Sequence, residues 1–179
     1  MRINSGRFKY RKLEIPESAR PTTEKVREAV FSMLIGKVEG ATVLDLFAGS
    51  GSLGLEALSR GAEFCVFNEG DRKNYKILKN NIFTASIYTV ISSTYNNDFR
   101  KALILANREF DIIFVDPPYR EGYYSEVFEL VEEYGLLADG GVIVAEHLND
   151  NELSDNMLSF SRTKHKRYGT IGVDFFERA

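Results

Sequence analysis

The chain contains 179 residues, of which 44% are apolar, and it carries a formal net charge of −3. This length and composition fit a single domain, residues 1–179, and no apolar stretch approaches the roughly 20 residues that cross a bilayer. The slight negative charge argues against an indiscriminate nucleic-acid binder. We therefore expect a cytoplasmic protein that does not associate with membranes.

Residues that bind metals or form disulfides are scarce. The single cysteine, Cys65, cannot form an internal disulfide, and its apolar neighbours favour a place in the core. The two histidines, His147 and His165, have no second ligand at metal spacing in the sequence. We therefore expect no metal.

The N-terminal segment is basic and aromatic. Between Met1 and Leu13 it contains no acid and five cations, Arg2, Arg7, Lys9, Arg11 and Lys12, interleaved with Phe8 and Tyr10. Cations and stacking rings suit an RNA backbone with unpaired bases, so residues 1–20 are a candidate RNA-facing hairpin with Arg7, Lys9 and Arg11 as contacts. The alternating apolar residues fit equally well with a half-buried hairpin whose charged face is merely solvated.

A helix is predicted after Thr22. Apolar residues recur there at steps of three and four, with Pro21 before them and Gly36 after them. Arg20, Thr22 and Arg27 lie around the start of this helix and are candidate substrate-binding residues. Two interpretations of these arginines stay open: contact with cofactor or RNA, or pairing with nearby acids such as Glu24 and Glu28.

From residue 42 onward, strand-like runs alternate with helical ones, which predicts a doubly wound α/β domain. The predicted strands are Thr42–Phe47, Phe64–Asn68, Tyr88–Ser92, Ile112–Val115 and Val142–Glu146. The predicted helices lie near Leu53–Arg60, Arg72–Ala85, Phe99–Asn107 and Tyr123–Tyr134. The runs Phe160–Tyr168 and Ile171–Glu177 then predict an antiparallel pair that closes the sheet.

The first crossover contains a glycine-rich turn. Gly49, Gly51 and Gly54 match the G-x-G-x-x-G pattern of dinucleotide-binding proteins, so a nicotinamide enzyme has to be considered. However, Asp45 precedes the glycines at the strand end, where its oxygen can meet the ammonium of an amino-acid ligand. Because a dinucleotide has no ammonium there, the pattern favours S-adenosylmethionine, with Phe47 beside it.

Two later strand ends add candidate cofactor contacts. Glu69 follows Gly49 by twenty residues, in the position from which a carboxylate reaches ribose hydroxyls. Asp98 and Phe99 could give a polar contact to the adenine amine and an apolar wall. Asn96, Asn97 and Asp98 are an equally good helix cap, so both interpretations remain open.

The fourth predicted strand ends in Asp116, Pro117, Pro118 and Tyr119. The prolines cannot donate to the hydrogen bonds between strands, so the strand ends there. An acid, carbonyl oxygens and an aromatic ring then lie at the carboxyl end of a buried strand. We predict that Asp116 and the Pro117 carbonyl accept hydrogen bonds from an exocyclic amine while Tyr119 stacks on its base. The chemistry would be in-line displacement at a sulfonium methyl group, without a metal or a covalent enzyme intermediate.

Together these motifs resemble the bacterial family of small-subunit ribosomal RNA guanine-N2 methyltransferases. The resemblance covers nearly the whole chain and includes Ser5–Lys9, Arg11–Leu13, Arg20–Thr23, Val26–Ala29, Asp45–Gly54, Glu56–Leu58 and Asp116–Tyr119. It implies a Rossmann-like class I methyltransferase fold: a seven-stranded, mostly parallel sheet with one antiparallel strand, preceded by an N-terminal hairpin and helix. It also implies S-adenosylmethionine as cofactor, S-adenosylhomocysteine as product, and ribosomal RNA, free or in an assembling small subunit, as partner.

The chain departs from the family pattern in the parts expected to face RNA. Tyr10 stands where such proteins often have glycine, the connection Pro16–Ala19 is short, and Tyr168–Thr170 lacks an acid often seen there. None of these departures lies in the glycine-rich cofactor loop. Adenine N6, cytosine N4 and protein glutamine therefore remain alternative acceptors, with a nicotinamide-dependent oxidoreductase and a non-catalytic RNA-binding module as rival functions.

Overall fold

The computed structural model describes residues 1–18, 22–86, 91–119 and 121–179. The predictions for Arg20 and Pro21, and most of the strand predicted at Tyr88–Ser92, lie outside these residues. The described helices are α1 (Glu24–Met33), α2 (Ser52–Ser59), α3 (Arg72–Thr84), α4 (Phe99–Leu105) and α5 (Tyr124–Glu133). The described strands are β1 (Thr42–Asp45), β2 (Phe64–Asn68), β3 (Ser92–Tyr95), β4 (Phe110–Val115), β5 (Leu137–Leu148), β6 (Asn156–Met157), β7 (Phe160–Tyr168) and β8 (Ile171–Arg178).

All of these strands belong to one sheet, in the order β3-β2-β1-β4-β5-β8-β7-β6. The first five are mutually parallel, and β8 runs antiparallel between β5 and β7. The predicted mostly parallel sheet with an antiparallel strand is confirmed, and the two-residue β6 adds an eighth strand at its edge. Because strand order reverses between β1 and β4, their carboxyl ends open a crevice where α/β proteins bind ligands.

Helices cover both faces of the sheet, so the central strands are buried on both sides. In β4, Ile112 and Phe114 belong to one apolar cluster, whereas Ile113 and Val115 belong to the other. This double burial explains why β4 is a continuous apolar run instead of an alternating one. Among the described helices, none is long and apolar enough to span a membrane.

The largest differences from the predicted strand boundaries are at β3 and β5. β3 begins at Ser92, where the predicted strand ends, and it pairs only with β2 among the described strands. Its residues are mostly polar because it lies at the edge of the sheet, so hydrophobic periodicity could not locate it. β5 begins five residues earlier than predicted, because Leu137 already pairs with Phe110 before the register shifts at Ile112.

The predicted N-terminal hairpin is present in a reduced form. Its arms pair antiparallel at a single bridge between Arg2 and Lys12, and residues 5–10 form turns. Ile3 and Phe8 are buried, whereas Tyr10 is 63% exposed. Tyr10 also has a φ of 70°, in the left-handed region that glycine adopts most easily. This conformation gives a physical reason for the glycine that the family pattern often has where this chain has Tyr10.

Helix α2 holds this segment in place. Glu56 is fully buried and accepts hydrogen bonds from the backbone N–H groups of Asn4 (2.9 Å) and Ser5 (3.1 Å). Ser59, at the end of the helix, accepts a bond from Arg7 through its carbonyl (2.9 Å) and one from Phe8 through its hydroxyl (3.0 Å). The segment is therefore folded onto α2 instead of extending into solvent.

Arg27 lies beneath the same segment. Its guanidinium has no exposed surface, approaches the Glu56 carboxylate at 3.5 Å and donates a hydrogen bond to the Asn4 side chain at 3.0 Å. A fully buried side chain cannot contact RNA, so the prediction of an RNA contact is wrong for Arg27. The pairing alternative was nearer to the observed role, although the partner is Glu56 and not the acids adjacent to Arg27 in α1.

Candidate active site

A cavity of about 690 Å³ opens at the carboxyl ends of β1 and β4. Its volume lies within the range of small-molecule and cofactor sites. Eight of the predicted site residues line it: Thr22, Asp45, Phe47, Gly49, Asp116, Pro117, Pro118 and Tyr119. The remaining lining residues are Ile15, Ser18, Ala48, Ser50, Ser52, Leu53, Asn74, Glu121 and Leu148. The two motifs identified in the sequence thus meet in one cavity, although they are more than sixty residues apart.

The three glycines of the loop have different structural roles. A Cβ added to Gly51 would lie 2.5 Å from a Leu78 methyl carbon, and one added to Gly54 would lie 2.3 Å from the Phe67 ring. Both glycines therefore allow close packing. Gly49 lines the cavity with a φ of +54°, and nothing lies within 4 Å of a Cβ built there. Gly49 leaves open space for a ligand to approach the backbone.

Asp45 lies at the end of β1 and is 2% exposed. Its Oδ2 atom accepts a hydrogen bond from the backbone N–H of Gly54 at 3.0 Å. Burial raises the pKa of Asp45 to about 7, the negative charge of Glu69 adds to this, and the Gly54 bond opposes it. A positive group of a ligand would stabilise the carboxylate at this position.

Glu69 supports the glycine loop from the end of β2. Its carboxylate accepts hydrogen bonds from the backbone N–H groups of Gly49 (2.7 Å) and Asp71 (2.8 Å). Burial raises the pKa of Glu69 despite these two bonds. The structure therefore gives Glu69 a loop-holding role, and its contact with a ribose stays a prediction.

The open question about Asp98 has a structural answer. Asp98 is the N-cap of α4 and accepts a hydrogen bond from the Arg100 N–H at 2.9 Å, so the capping interpretation is confirmed. Phe99 is buried behind Phe47, with ring centroids 5.4 Å apart, and Phe47 is the ring that lines the cavity. Tyr123, which sequence reasoning missed, also packs against Phe99 at 4.8 Å.

Asp116 follows β4 and faces other acids. Burial raises its pKa well above the usual range, and the negative charges of Glu146 and Asp45 raise it further. Tyr119 donates a hydrogen bond from its hydroxyl to Oε1 of Glu146 at 2.7 Å. Burial, together with the charges of Asp116 and Glu146, raises the pKa of Tyr119, so the phenol keeps its proton.

Glu146 is a site residue that sequence reasoning did not single out. It is 6% exposed on β5, and its Oε2 accepts a hydrogen bond from the Thr22 hydroxyl at 2.9 Å. Its backbone carbonyl accepts another from the Tyr124 hydroxyl at 2.6 Å. The sequence indicated Glu146 only weakly, as an acid at the predicted end of a buried strand.

The RNA contacts predicted in the N-terminal segment lie outside the cavity. Arg7 and Lys9 are exposed, and Arg11 is partly exposed. The guanidinium carbons of Arg7 and Arg11 lie 4.8 and 5.0 Å from the centroid of the Phe8 ring. The Lys9 ammonium lies 4.8 Å from the centroid of the Tyr10 ring. Such cation–π contacts fix the cations on the surface, and RNA contact stays a prediction.

A second polar cluster lies on neighbouring strands of the sheet. Asp174 of β8 is fully buried, its Oδ2 lies 3.0 Å from Nε2 of His147, and its other oxygen contacts His165. Gly172 makes room for the imidazole, since a Cβ there would lie 2.5 Å from the His147 ring. Arg162 donates to Oδ2 of Asp174 at 3.2 Å. Strand pairing thus brings together two histidines and an acid that are far apart in sequence.

This cluster corrects the reasoning about histidine ligands without identifying a metal site. His147, His165 and Asp174 present ligand atoms within 4.8 Å of one another, which spacing along the chain could not reveal. However, Arg162 already supplies a positive charge to the shared carboxylate, and the hydrogen bonds to the histidines lower the pKa of Asp174 against its burial. The cluster is therefore an ion-pair network, and the absence of a metal stays a prediction.

Comparison with known proteins places this geometry in a wider context. Residues 1–177 match the family called Conserved hypothetical protein 95. YlbH of Bacillus subtilis (strain 168) is 42% identical, with 99% of both chains covered. Ribosomal RNA small subunit methyltransferase D of Escherichia coli (strain K12) is 36% identical, covering 99% of this chain and 90% of that protein. The solved structure of yhhF from Escherichia coli has a TM-score of 0.89 at 36% identity, covering 99% of this chain and 97% of the other.

Proposed function

We propose that this methyltransferase, which belongs to the family called Conserved hypothetical protein 95, uses S-adenosylmethionine to methylate the exocyclic N2 amine of a guanine in small-subunit ribosomal RNA. The whole chain, residues 1–179, would act as one methyltransferase domain with residues 1–20 facing RNA. The observation that carries the proposal is the meeting of Asp45, Gly49, Asp116 and Tyr119 in one cavity.

The residues of the cavity fit S-adenosylmethionine. The cofactor carries an ammonium and a sulfonium, and the cavity offers Asp45, whose charged form is disfavoured by burial despite the hydrogen bond from Gly54. The open surface at Gly49 admits the methionine portion, and Phe47 provides an apolar wall. When bound, the cofactor would supply an electrophilic methyl group.

The protein's contribution to the reaction would be orientation and charge. Asp116 and the Pro117 carbonyl would accept hydrogen bonds from the two N–H groups of the amine. This arrangement would turn the nitrogen lone pair toward the methyl carbon. The nitrogen would form a bond to that carbon as the bond to sulfur breaks, and the electron pair of that bond would stay on sulfur. Asp116 would then take the surplus proton, while Tyr119 stacks on the base.

The charges around the cavity favour guanine over the other amine-bearing bases. Asp45 and Asp116 line the cavity and offer acceptor oxygens, and Glu146 lies just behind the cavity wall. In guanine the N2 amine is next to another donor, N1–H. In adenine and cytosine the amine is next to an unprotonated ring nitrogen, which an acidic surface would repel. The relative named as a small-subunit ribosomal RNA methyltransferase supports RNA as the substrate.

The direct test is transfer of labelled methyl from S-adenosylmethionine to small-subunit ribosomal RNA, both free and within its protein particle, followed by nucleoside analysis. N2-methylguanosine would support the proposal. Label on another nucleoside would overturn the target atom, and no label despite measured cofactor binding would overturn RNA as the substrate.

The RNA-facing role of the N-terminal segment has a separate test. Neutralising Arg7, Lys9 and Arg11 together should reduce the slope of log affinity against log salt by about 2, since each lost phosphate contact removes roughly 0.7. Neutralising Lys101 and Arg108, outside the segment, serves as the control. Equal slopes for the variant and the wild type would make the segment an ordinary solvated surface.

A further inference from the structure

Glu146 connects two side chains that line the cavity. Its Oε1 accepts the Tyr119 hydroxyl bond at 2.7 Å, and its Oε2 accepts the Thr22 hydroxyl bond at 2.9 Å. Both donors line the cavity, whereas Glu146 itself is only 6% exposed. The carboxylate therefore lies just behind the cavity wall.

We infer that Glu146 is a positioning residue for methyl transfer: it fixes the ring of Tyr119 and the side chain of Thr22, and its negative charge acts on the neighbouring Asp116. This inference rests on the proposed roles of Asp116 and Tyr119 in methyl transfer. It assigns Glu146 no direct contact with the substrate.

The hydrogen bond to Glu146 would fix the plane of the Tyr119 ring. Two prolines restrain the backbone just before Tyr119, and the hydroxyl bond restrains the far end of the ring. Glu146 is itself held, because Tyr124 of α5 donates to its backbone carbonyl at 2.6 Å. A ring restrained at both ends presents a preformed stacking surface, which reduces the entropy lost when a base binds.

The charge of Glu146 acts in a site with few compensating charges. Burial, Glu146 and Asp45 all raise the pKa of Asp116, and only a bond from Thr22 lowers it. Burial raises the pKa of Glu146, and the bonds from Tyr119 and Thr22 and the neighbouring His147 oppose this only in part. Among the described residues, the other titratable groups coupled to this pair are Tyr119 and Tyr124, whose own pKa values are raised, so both stay neutral. Removing the charge of Glu146 should therefore lower the pKa of Asp116.

Glu146→Gln separates charge from geometry, because the amide oxygen can still accept the Tyr119 bond. Carbon-13 NMR titration of the side-chain carboxyls in the free protein should show the pKa of Asp116 lower by roughly 1 unit. The acidic limb of the kcat/KM profile should move to lower pH by a similar amount. Glu129→Gln, which neutralises an exposed carboxylate on α5 outside the cavity, is the control and should change neither quantity. An unchanged Asp116 titration in Glu146→Gln would overturn the charge effect.

A double-mutant cycle tests the positioning effect. Tyr119→Phe and Glu146→Ala should each raise KM for RNA about tenfold, as expected for a lost hydrogen bond to a charged group. Neither should change the affinity for S-adenosylmethionine. The double variant should be no worse than Glu146→Ala alone, because both changes remove the same bond. Additive losses would overturn the inference, and Tyr119→Phe keeps the test available should Glu146→Ala fold poorly.

The outcome is separable from that of the proposed function. If Asp116→Ala methylates RNA at the wild-type rate, the proposed role of Asp116 fails. The NMR titration of Asp116 in the wild type and in Glu146→Gln still measures the effect of Glu146. Should Asp116→Ala be inactive and the Asp116 titration be unmoved by Glu146→Gln, only the present inference fails.

Discussion

Two groups of buried carboxylates in this protein differ in their partners. Glu56 is paired with Arg27 at 3.5 Å and with Arg60 at 2.9 Å, and Asp174 is surrounded by two histidines and an arginine. By contrast, among the residues that the structure describes, no lysine or arginine forms an ion pair with Asp45, Asp116 or Glu146. The first group has compensating charge within the protein, and the second does not.

The pKa values report the same contrast. Hydrogen bonds from His147, His165 and Arg162 lower the pKa of Asp174 despite its burial, whereas burial raises the pKa of Asp45 and Asp116. Paired acids fix the fold. Acids whose charged form is disfavoured are typical of functional sites, because a positive ligand group can stabilise that form.

The largest effect is expected at the cavity. Asp116→Ala should lower the rate of methyl transfer by roughly 10²–10⁴-fold, since it removes the acceptor for the amine protons. The fold and the affinity for S-adenosylmethionine should change little. Single-turnover methylation and calorimetry measure the two quantities, and full turnover by Asp116→Ala would remove this residue from the mechanism.

A large stability effect is expected at the paired acids. Arg27→Ala would leave Glu56 buried without its enclosed partner, which should cost about 3–5 kcal/mol of unfolding free energy. Arg60→Ala removes the partly exposed partner of the same acid and should cost about 0–1 kcal/mol. Urea unfolding of the two variants compares them, and equal losses would contradict the distinction between enclosed and exposed pairing.

A smaller, pH-dependent effect is expected at Asp45. With a pKa of about 7 in the free protein, Asp45 is mostly protonated at pH 6 and mostly ionised at pH 8. Because only the ionised form can accept the cofactor's ammonium, the affinity for S-adenosylmethionine should rise about tenfold between these pH values. Asp45→Asn should bind more weakly and show little pH dependence, whereas Glu121→Gln should behave as the wild type.

The stability of the free protein should follow the opposite trend. A carboxyl whose pKa is raised on folding contributes stability at low pH, and that contribution is lost as the pH rises toward and through 7. Asp45→Asn should therefore unfold at a higher temperature than the wild type at pH 8.

The affinity measurement tests the ligand assignment directly. A wild-type affinity for S-adenosylmethionine that does not vary with pH would contradict the assignment of the ammonium to Asp45.

The sequence predicted those parts of the site that depend on local pattern. The apolar run of β4 with its two prolines placed Asp116 at a strand end, and the glycine turn placed Asp45 at another. Since neighbouring parallel strands end at the same edge of a sheet, their meeting in one cavity followed from the fold class.

The remaining features depend on contacts that local pattern cannot show. Thr22 and Glu146 are 124 residues apart, and their hydrogen bond exists only because β5 brings Glu146 beside the start of α1. The burial of Arg27 and the clustering of His147 around Asp174 likewise depend on tertiary packing. In each case the residue type was visible in the sequence, but its partner was not.

The attachment of the N-terminal segment to α2 also constrains the order of folding during synthesis. Asn4 and Ser5 leave the ribosome early, but the carboxylate that holds them belongs to Glu56, more than fifty positions later. A nascent chain that ends before α2 cannot order its basic segment. Helix α2 begins directly after Gly51 of the cofactor loop. We therefore expect the RNA-facing segment and the cofactor loop to become ordered at the same stage of synthesis.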